Sequence, residues 1–171
     1  MKIKEELDVI IEKHPHYKSL NKNLLEDESR VDYNGESYQK CDTASFSSNI
    51  TTTSKNIDLI ISWVERLINT HYPYMRDYIS KDSWFVRYRV GDETKPHDHQ
   101  PCLYSWVYFV NCPKGSSPFV FTNSGKRIKP EEGKVVIFPA ILKHHVPKSR
   151  CDDRVVLSGN LTTLESDHCP Q

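Results

Sequence analysis

Hydrophobic residues recur at helical spacing in the first half of the chain and at strand spacing in the second half, and the change lies near residue 82. The first half predicts a short amphipathic helix over roughly residues 2–13. It also predicts a stronger helix that begins after the Thr-Ser cluster at 51–54 and ends before Pro73. The polar stretch 26–50 predicts a long loop with little regular structure, a kind of segment that often contributes to function.

The second half predicts strands almost throughout. Aromatic and β-branched runs are separated by turns that contain proline and glycine, a pattern typical of a β-sandwich or a barrel of the jelly-roll type. The strands are expected at 84–90, 102–110, 118–122, 133–139, 145–148 and 154–161.

The length of 171 residues suits one domain with a substantial core. We therefore expect a single domain over 1–171. Its parts are helical support with a flexible loop in 1–81, a jelly-roll core in 82–161 and a loose tail in 162–171.

Charge and composition exclude several classes of protein. Lys and Arg number 23, as do Asp and Glu, so no global field attracts nucleic acid or an anionic membrane. No apolar run is long enough to span a bilayer, and the first residues lack the apolar stretch of a signal peptide. The five cysteines form no C-x-x-C pair, which favours reduced thiols in a cytoplasmic protein. Acids are interleaved with a further group of basic residues, which predicts an ordinary solvated face: Arg87, Arg89, Lys126, Arg127 and Lys129.

Several histidines indicate a metal site. His97 and His99 are two residues apart, which is the spacing that places two strand side chains on one face. A third histidine from a distant strand can complete a facial set that leaves positions open for oxygen and a cosubstrate. His144 and His145 are both available, and because adjacent strand residues face opposite ways, at most one of them enters the site comfortably. Asp98 should face away from the metal unless the strand bulges there.

Arg154 begins the last predicted strand, ten residues after His144. A guanidinium that faces the interior is costly unless an anion meets it, and it binds a carboxylate in a bidentate manner. An inward Arg154 would bind an anionic cosubstrate, whereas an outward one would be an ordinary surface residue beside Asp152 and Asp153. The apolar pattern of this strand leaves both orientations open.

Five segments of the second half form a recognisable series. They are Tyr88-x-x-Gly91, Pro96-His97-x-His99 with Ser105–Val110, Gly133-x-x-x-x-Phe138-Pro139, His144-x-Val146 and Arg154…Asn160. In order and spacing they resemble the 2-oxoglutarate/Fe(II) oxygenases of bacteria and phages, and the first two are also similar to the Tyr-x-x-Gly…Pro-His-x-Asp stretch of prolyl hydroxylases. The similarity runs from Trp84 to Asn160, nearly half the chain. The resemblance implies a mainly β fold, with a double-stranded β-helix (jelly-roll) core and N-terminal α-helices.

The same resemblance implies a role for each candidate residue. His97 and His144 would be iron ligands, and His99 stands where the family has aspartate. Arg154 would pair with the distal carboxylate of 2-oxoglutarate, and Tyr88 matches a tyrosine that contacts this cosubstrate. His145 is then not a ligand, and Tyr104 and Ser105 are candidates for a further cosubstrate contact.

His99 is the departure from the family pattern. A neutral imidazole in place of a carboxylate leaves the metal as a +2 rather than a +1 centre, and three histidines also suit zinc. Asp98 remains the alternative third ligand if the strand bulges.

We expect a 2-oxoglutarate- and Fe(II)-dependent dioxygenase that uses O2 and hydroxylates a peptide side chain or a small molecule, with release of succinate and CO2. Two alternatives stay open. One is a three-His metal dioxygenase that needs no 2-oxoglutarate, and the other is a non-catalytic module that binds a metal or a small acid. A peptide or protein is a possible partner, whereas nucleic acid and membranes are not expected.

Overall fold

The computed structural model describes residues 6–31, 46–47, 54–73 and 78–163. Within them the chain forms two helices and ten strands. The helices are α1 (Tyr17–Glu28) and α2 (Lys55–His71). The strands are β1 (Ile10–Lys13), β2 (Phe46–Ser47), β3 (Tyr78–Tyr88), β4 (Thr94–His97), β5 (Tyr104–Asn111), β6 (Phe119–Phe121), β7 (Arg127–Ile128), β8 (Lys134–Pro139), β9 (His144–Val146) and β10 (Arg154–Thr163).

The strands form two antiparallel sheets. The major sheet has six strands in the order β1-β8-β5-β10-β3-β2, and the minor sheet has four in the order β4-β9-β6-β7. One apolar core lies between the sheets, since it combines Val86, Val107 and Val136 of the major sheet with Phe119 and Phe121 of the minor sheet. The fold is therefore mainly β, as the sequence predicts.

A second core lies between the outer face of the major sheet and the helices. Ile57, Ile60 and Ile68 of α2 pack there with Trp106 and Leu157 of the central strands. Because both faces of the central strands are buried, β5 is apolar at nearly every position instead of alternating between apolar and polar residues.

Helix α2 confirms the predicted second helix. Ser54 precedes it in an extended conformation, and its side chain accepts a hydrogen bond from the backbone N–H of Asn56 at 3.1 Å. This N-cap satisfies one of the donors that a helix start leaves open. The helix ends at His71, two residues before Pro73.

The predicted helix over residues 2–13 is wrong where the structure describes it. Residues 10–13 form β1, which pairs with β8 at the edge of the major sheet, and only Ile10 in this strand is buried. Pairing with β8 satisfies the backbone hydrogen-bonding groups of this short segment. This gain outweighs the weak helical preference indicated by the spacing of Leu7, Ile10 and Ile11. The helix that precedes the loop is instead α1, in which Leu20 and Leu24 are buried in the core and Leu25 is partly buried against it.

The predicted division of the chain at residue 82 also differs from the structure. β1, β2 and the first residues of β3 all belong to the major sheet, so the first half contributes strands as well as helices. β10 continues to Thr163, inside the predicted tail. In the predicted loop 26–50, residues 26–28 belong to α1 and Phe46–Ser47 pair with β3, whereas 32–45 and 48–50 lie outside the described residues.

The remaining predicted strands are present within a few residues of their expected bounds. Two short strands, β4 and β7, were not predicted as separate elements. Cys102, Cys112 and Cys151, the cysteines in the described part, are free thiols. No described helix has the length and apolar character needed to cross a membrane.

Gly133, at the turn before β8, packs directly against the first residue of α1. Its φ is +81°, and a Cβ there would lie 2.3 Å from Cβ of Tyr17. Gly91 has a similar φ of +91° but no atom within 4 Å of the corresponding position, so it is a matched control. We expect Gly91→Ala to lower the free energy of unfolding by about 1–2 kcal/mol from backbone strain alone. Gly133→Ala should cost about 2–3 kcal/mol more, because α1 must shift. Urea denaturation measures both, and equal losses would contradict the packing argument.

Candidate metal centre

Three imidazole rings converge between the two sheets. The ligand atoms of His97, His99 and His144 all lie within 4.8 Å of one another. His97 is the last residue of β4 and pairs in register with His144, the first residue of β9. His99 follows two residues after β4 and reaches the same cluster from the loop. The structure therefore brings together the three histidines that the sequence nominated as metal ligands.

Backbone carbonyls orient two of these rings. Nδ1 of His97 lies 2.8 Å from the carbonyl oxygen of Lys95, and Nδ1 of His144 lies 3.0 Å from that of Leu142. A carbonyl only accepts, so each Nδ1 must donate its hydrogen. The lone pair of a neutral ring is then on Nε2, which is the atom left to bind a metal.

His99 is held by its backbone and by ring contacts. Its N–H donates to the carbonyl of Ala140 at 2.9 Å, which ties the loop after β4 to the end of β8. Its ring stacks on that of His144 with 5.1 Å between centroids, and the ring of Trp84 lies 5.9 Å away.

The two alternative residues lie elsewhere. The Asp98 carboxylate accepts a hydrogen bond from the backbone N–H of Gln100 at 3.3 Å and is not part of the cluster. The ring of His145 faces the other side of the minor sheet, where its Nδ1 is 2.9 Å from the hydroxyl of Thr122. These positions favour His99 over Asp98 and His144 over His145, although their roles as ligands remain predictions.

Burial keeps the three histidines neutral. It lowers the pKa of His144 well below the usual value, and the neighbouring His97 and His99 rings lower it further. Burial, assisted by His97, lowers the pKa of His99 to about 4, and burial also lowers the pKa of His97. Neutral imidazole is the form that binds a metal, so the cluster needs no deprotonation at neutral pH.

Arg154 is fully buried, with 0% of its surface exposed, and points into the space between the sheets. None of its three guanidinium nitrogens has a hydrogen-bond partner within the described residues. The guanidinium lies over the ring of Tyr88 at 4.3 Å and near that of Phe109 at 5.7 Å. A buried charge without a hydrogen-bonded partner is strongly unfavourable, and aromatic faces offset only part of this cost. The surroundings therefore fit an anion that accepts several hydrogen bonds, such as a carboxylate.

Two of the three other residues nominated for cosubstrate contact lie on the inner face. Tyr88 pairs in register with Arg154, and its hydroxyl is hydrogen-bonded to that of Thr94 at 2.7 Å. The buried hydroxyl of Ser105 donates to Oδ1 of Asn160 at 2.7 Å. Tyr104 is not brought to this face, because successive strand residues point to opposite sides. It belongs to the core against the helices and stacks on Tyr72.

Sequence reasoning assigned no role to three residues that contact the candidate site residues. Thr94 and Asn160 are hydrogen-bonded to the side chains of Tyr88 and Ser105, and the ring of Trp84 lies beside that of His99. The spacing of the strands contains part of this information. Asn160 is six residues after Arg154, an even number, so the two share a face of β10. Thr94 lies in a strand too short for its pattern to predict.

No family model and no curated protein sequence matches this chain. Solved structures do match it, each at low sequence identity. A viral collagen prolyl hydroxylase from Paramecium bursaria Chlorella virus-1, in complex with 2-oxoglutarate, has a TM-score of 0.70 and 15% identity over 88% of this chain and 94% of that chain. An oxidoreductase of the 2OG-Fe(II) oxygenase family from Burkholderia pseudomallei has a TM-score of 0.68 and 13% identity, over 90% and 84% of the two chains.

A third match is a prolyl hydroxylase from Trichoplax adhaerens in complex with a peptide of hypoxia inducible factor. It has a TM-score of 0.66 and 15% identity, over 89% of this chain and 82% of that one. The chain has the fold of the 2-oxoglutarate/Fe(II) oxygenases. This fold agrees with the family that the sequence motifs resemble.

The lowered pKa values of the histidines predict that the free energy of unfolding decreases when the pH is lowered from 7 to 5. Between about pH 4 and 6.5, the His99 ring takes up a proton in the unfolded chain but not in the folded one. Its contribution to the free energy of unfolding is therefore complete above pH 6.5 and is lost progressively as the pH falls. We expect the metal-free protein to be less stable at pH 5 than at pH 7, and His99→Asn to reduce that difference. Urea denaturation at the two pH values measures it, and an undiminished difference in the variant would contradict the assignment.

Proposed function

We propose that this protein is a 2-oxoglutarate- and Fe(II)-dependent dioxygenase that hydroxylates a peptide side chain or a small molecule, with release of succinate and CO2. The proposal includes a double-stranded β-helix as the core of the fold. One observation supports it above the others: the fully buried guanidinium of Arg154 shares an interior with the three-His cluster.

The residues present fit both groups of this proposal. Arg154 would hold the distal carboxylate of 2-oxoglutarate, since its nitrogens are buried and aimed inward. Nε2 of His97 and of His144 would hold the metal, together with a ring nitrogen of His99. Fe(II) and 2-oxoglutarate, when bound, supply the oxidative chemistry, which protein side chains cannot perform.

The chain itself orients the cosubstrate and keeps water out. Tyr88 packs its ring against the Arg154 guanidinium, and its hydroxyl is hydrogen-bonded to Thr94. This contact supports the guanidinium from one side. Ser105 and Asn160 offer hydroxyl and amide groups on the same inner face.

Apolar side chains form the walls around His144. Phe119 stacks on its ring at 4.9 Å and Phe138 meets it edge to face at 4.8 Å. Because these apolar side chains exclude water, electrostatic interactions inside the site are stronger and reactive species are protected from hydrolysis.

The choice of His99 as third ligand has an electrostatic consequence. Three neutral ligands leave the metal with its full +2 charge, and Arg154 adds another positive charge in the same interior. A dianion such as 2-oxoglutarate neutralises more of this charge than a monoanion does. The cluster therefore remains suited to the cosubstrate even without the carboxylate of the common pattern.

Two of the matched structures support a peptide substrate by analogy. One is a collagen prolyl hydroxylase, and another is in complex with a peptide of hypoxia inducible factor. A small molecule stays within the proposal because the residues of the cluster do not themselves select between the two.

Metal binding tests the third ligand. We expect His99→Ala to weaken Ni²⁺ binding by about 100-fold or more, because one of three ligands is lost. Asp98→Ala is the matched control and should change the affinity by no more than a few-fold. Isothermal titration calorimetry with Ni²⁺ measures both variants, and the reverse ranking would make Asp98 the ligand.

Cosubstrate binding tests Arg154. In the Fe(II)-loaded protein without oxygen, Arg154→Met should weaken 2-oxoglutarate binding by about 100-fold, whereas Arg66→Met on the exposed side of α2 should not. The metal-free Arg154→Met protein should be as stable as the wild type or more stable, because a buried charge without partners is removed. Calorimetry and urea denaturation give the two quantities, and a strong loss of stability with unchanged 2-oxoglutarate binding would assign Arg154 a structural role.

The same titrations separate the other functions. Metal binding without any binding of 2-oxoglutarate would favour a three-His dioxygenase that acts without this cosubstrate. A protein that binds 2-oxoglutarate and metal but never consumes the cosubstrate would be a binding module.

A further inference from the structure

Positive charge is concentrated in one segment of this electrically neutral chain. Residues 113–150 contain eight Lys and Arg but only two Asp and Glu, so the rest of the chain has a matching excess of acids. This segment forms β6, β7 and β9 of the minor sheet together with β8. The sequence alone predicted an ordinary solvated face here.

Three basic residues of this segment lie at the end of the minor sheet where the histidines cluster. We call them the basic rim: Lys126, Arg127 and Lys143. Phe121 pairs with His144, and the turn that follows Phe121 leads to Lys126 and Arg127. Lys143 immediately precedes His144, and its carbonyl accepts the backbone N–H of Thr122 at 2.8 Å. The turn and Lys143 are therefore neighbours at the end of the minor sheet that contains His144.

The acids of the segment lie away from this rim. Glu131 forms salt bridges with Lys13 of β1 and Lys134 of β8, at 2.5 and 3.2 Å. Glu132 accepts the backbone N–H of Cys112. All three rim residues are exposed, and none of them forms a salt bridge with a described residue. Their charges are thus available to a partner.

An apolar residue lies in the loop beside the basic rim. Ile141 is 56% exposed and sits between Ala140 and Leu142. The carbonyls of those two neighbours hold the backbone of His99 and the ring of His144. A partner that reaches the metal centre past Ile141 would meet apolar surface and positive charge together.

We propose that the basic rim binds an acidic peptide segment and presents an adjacent side chain of that peptide to the metal centre. The inference rests on the proposed function, whose substrate class it makes more specific. A peptide fits better than single-stranded nucleic acid. The exposed large apolar residues of the described part, Ile141 among them, are all aliphatic, which suits peptide side chains better than stacked bases. Ile141 suits an apolar side chain among the acidic ones.

The experiment uses the protein loaded with Ni²⁺ and 2-oxoglutarate, which does not turn over. The probe is a fluorescein-labelled twelve-residue peptide that alternates glutamate and alanine, and fluorescence anisotropy measures its binding at low and high salt. We expect K126E/R127E to weaken binding by about tenfold and K143E to weaken it by a smaller factor. The wild-type affinity should fall as salt rises, since the contacts are exposed ion pairs.

The matched control is K18E/K22E, which reverses the same number of charges on the exposed side of α1 and should bind the peptide like the wild type. Equal losses in the control and rim variants, or no binding to the wild type, would overturn the proposal. Tighter binding of a twelve-nucleotide single-stranded DNA than of the peptide would also overturn it.

Calorimetry of 2-oxoglutarate on the same samples keeps the two proposals apart. Rim variants that bind 2-oxoglutarate normally but lose the peptide support the inference. Normal 2-oxoglutarate binding with no effect of the rim on the peptide refutes the inference and leaves the proposed function intact. A rim-dependent peptide interaction without 2-oxoglutarate binding would refute the proposed oxygenase function while supporting the rim as a peptide surface.

Discussion

Successive side chains of β10 point to opposite faces of the major sheet, and this alternation determines which of them reach the candidate site. β10 lies between β5 and β3, paired on both edges, so it cannot rotate or slip without losing two ladders of hydrogen bonds. Arg154, Val156 and Asn160 therefore face the minor sheet, whereas Val155 and Leu157 face the helices. A shift of one residue would place the guanidinium in the helix-facing core and turn the Asn160 side chain away from Ser105. The same pairing that stabilises the sheet thus forces a charge into a dry space.

That buried charge explains why the interior combines strongly polar groups with aromatic walls. Arg154 contacts the faces of Tyr88 and Phe109, which tolerate a cation but do not accept hydrogen bonds from all of its nitrogens. The nearby histidines add no positive charge because burial lowers the pKa of each of them and favours the neutral imidazole. The Arg154 guanidinium is consequently a buried positive charge without a hydrogen-bonded partner in the described part. In the proposed function, a divalent metal would add to this charge and a dianionic cosubstrate would compensate for it.

The basic rim also presents positive charge, but at the surface of the protein. There the charges are solvated, so each contact is weak and sensitive to salt, and specificity must come from several contacts in one geometry. Turn 122–126 and the loop before β9 supply that geometry because the antiparallel pairing of β6 with β9 places them side by side. Under our two proposals, interior and rim would select for negative charge in different ways, the interior by desolvation and the rim by electrostatic steering.

The sequence by itself determined which candidate side chains are present. The His-x-His spacing and the His144-His145 pair nominated every member of the cluster, and the start of the last strand nominated the arginine that shares the interior with it. The β-rich second half likewise predicted a sandwich of short strands, because alternation and turn residues are local properties. Local patterns do not show which strands pair with each other, however. For that reason β1, which pairs with the distant β8, was predicted as part of a helix.

Only the tertiary structure decided between the alternatives. Whether Asp98 or His99 enters the cluster depends on the loop after β4, whose course is held by a hydrogen bond to Ala140, a residue distant in sequence. Whether His144 or His145 faces inward depends on the register of β9 against β4 and β6. Tyr104 and Ser105 were equivalent candidates until the sheet gave them opposite faces. In each case the deciding interaction joins residues far apart in the chain, which is why no pattern along the sequence contained the answer.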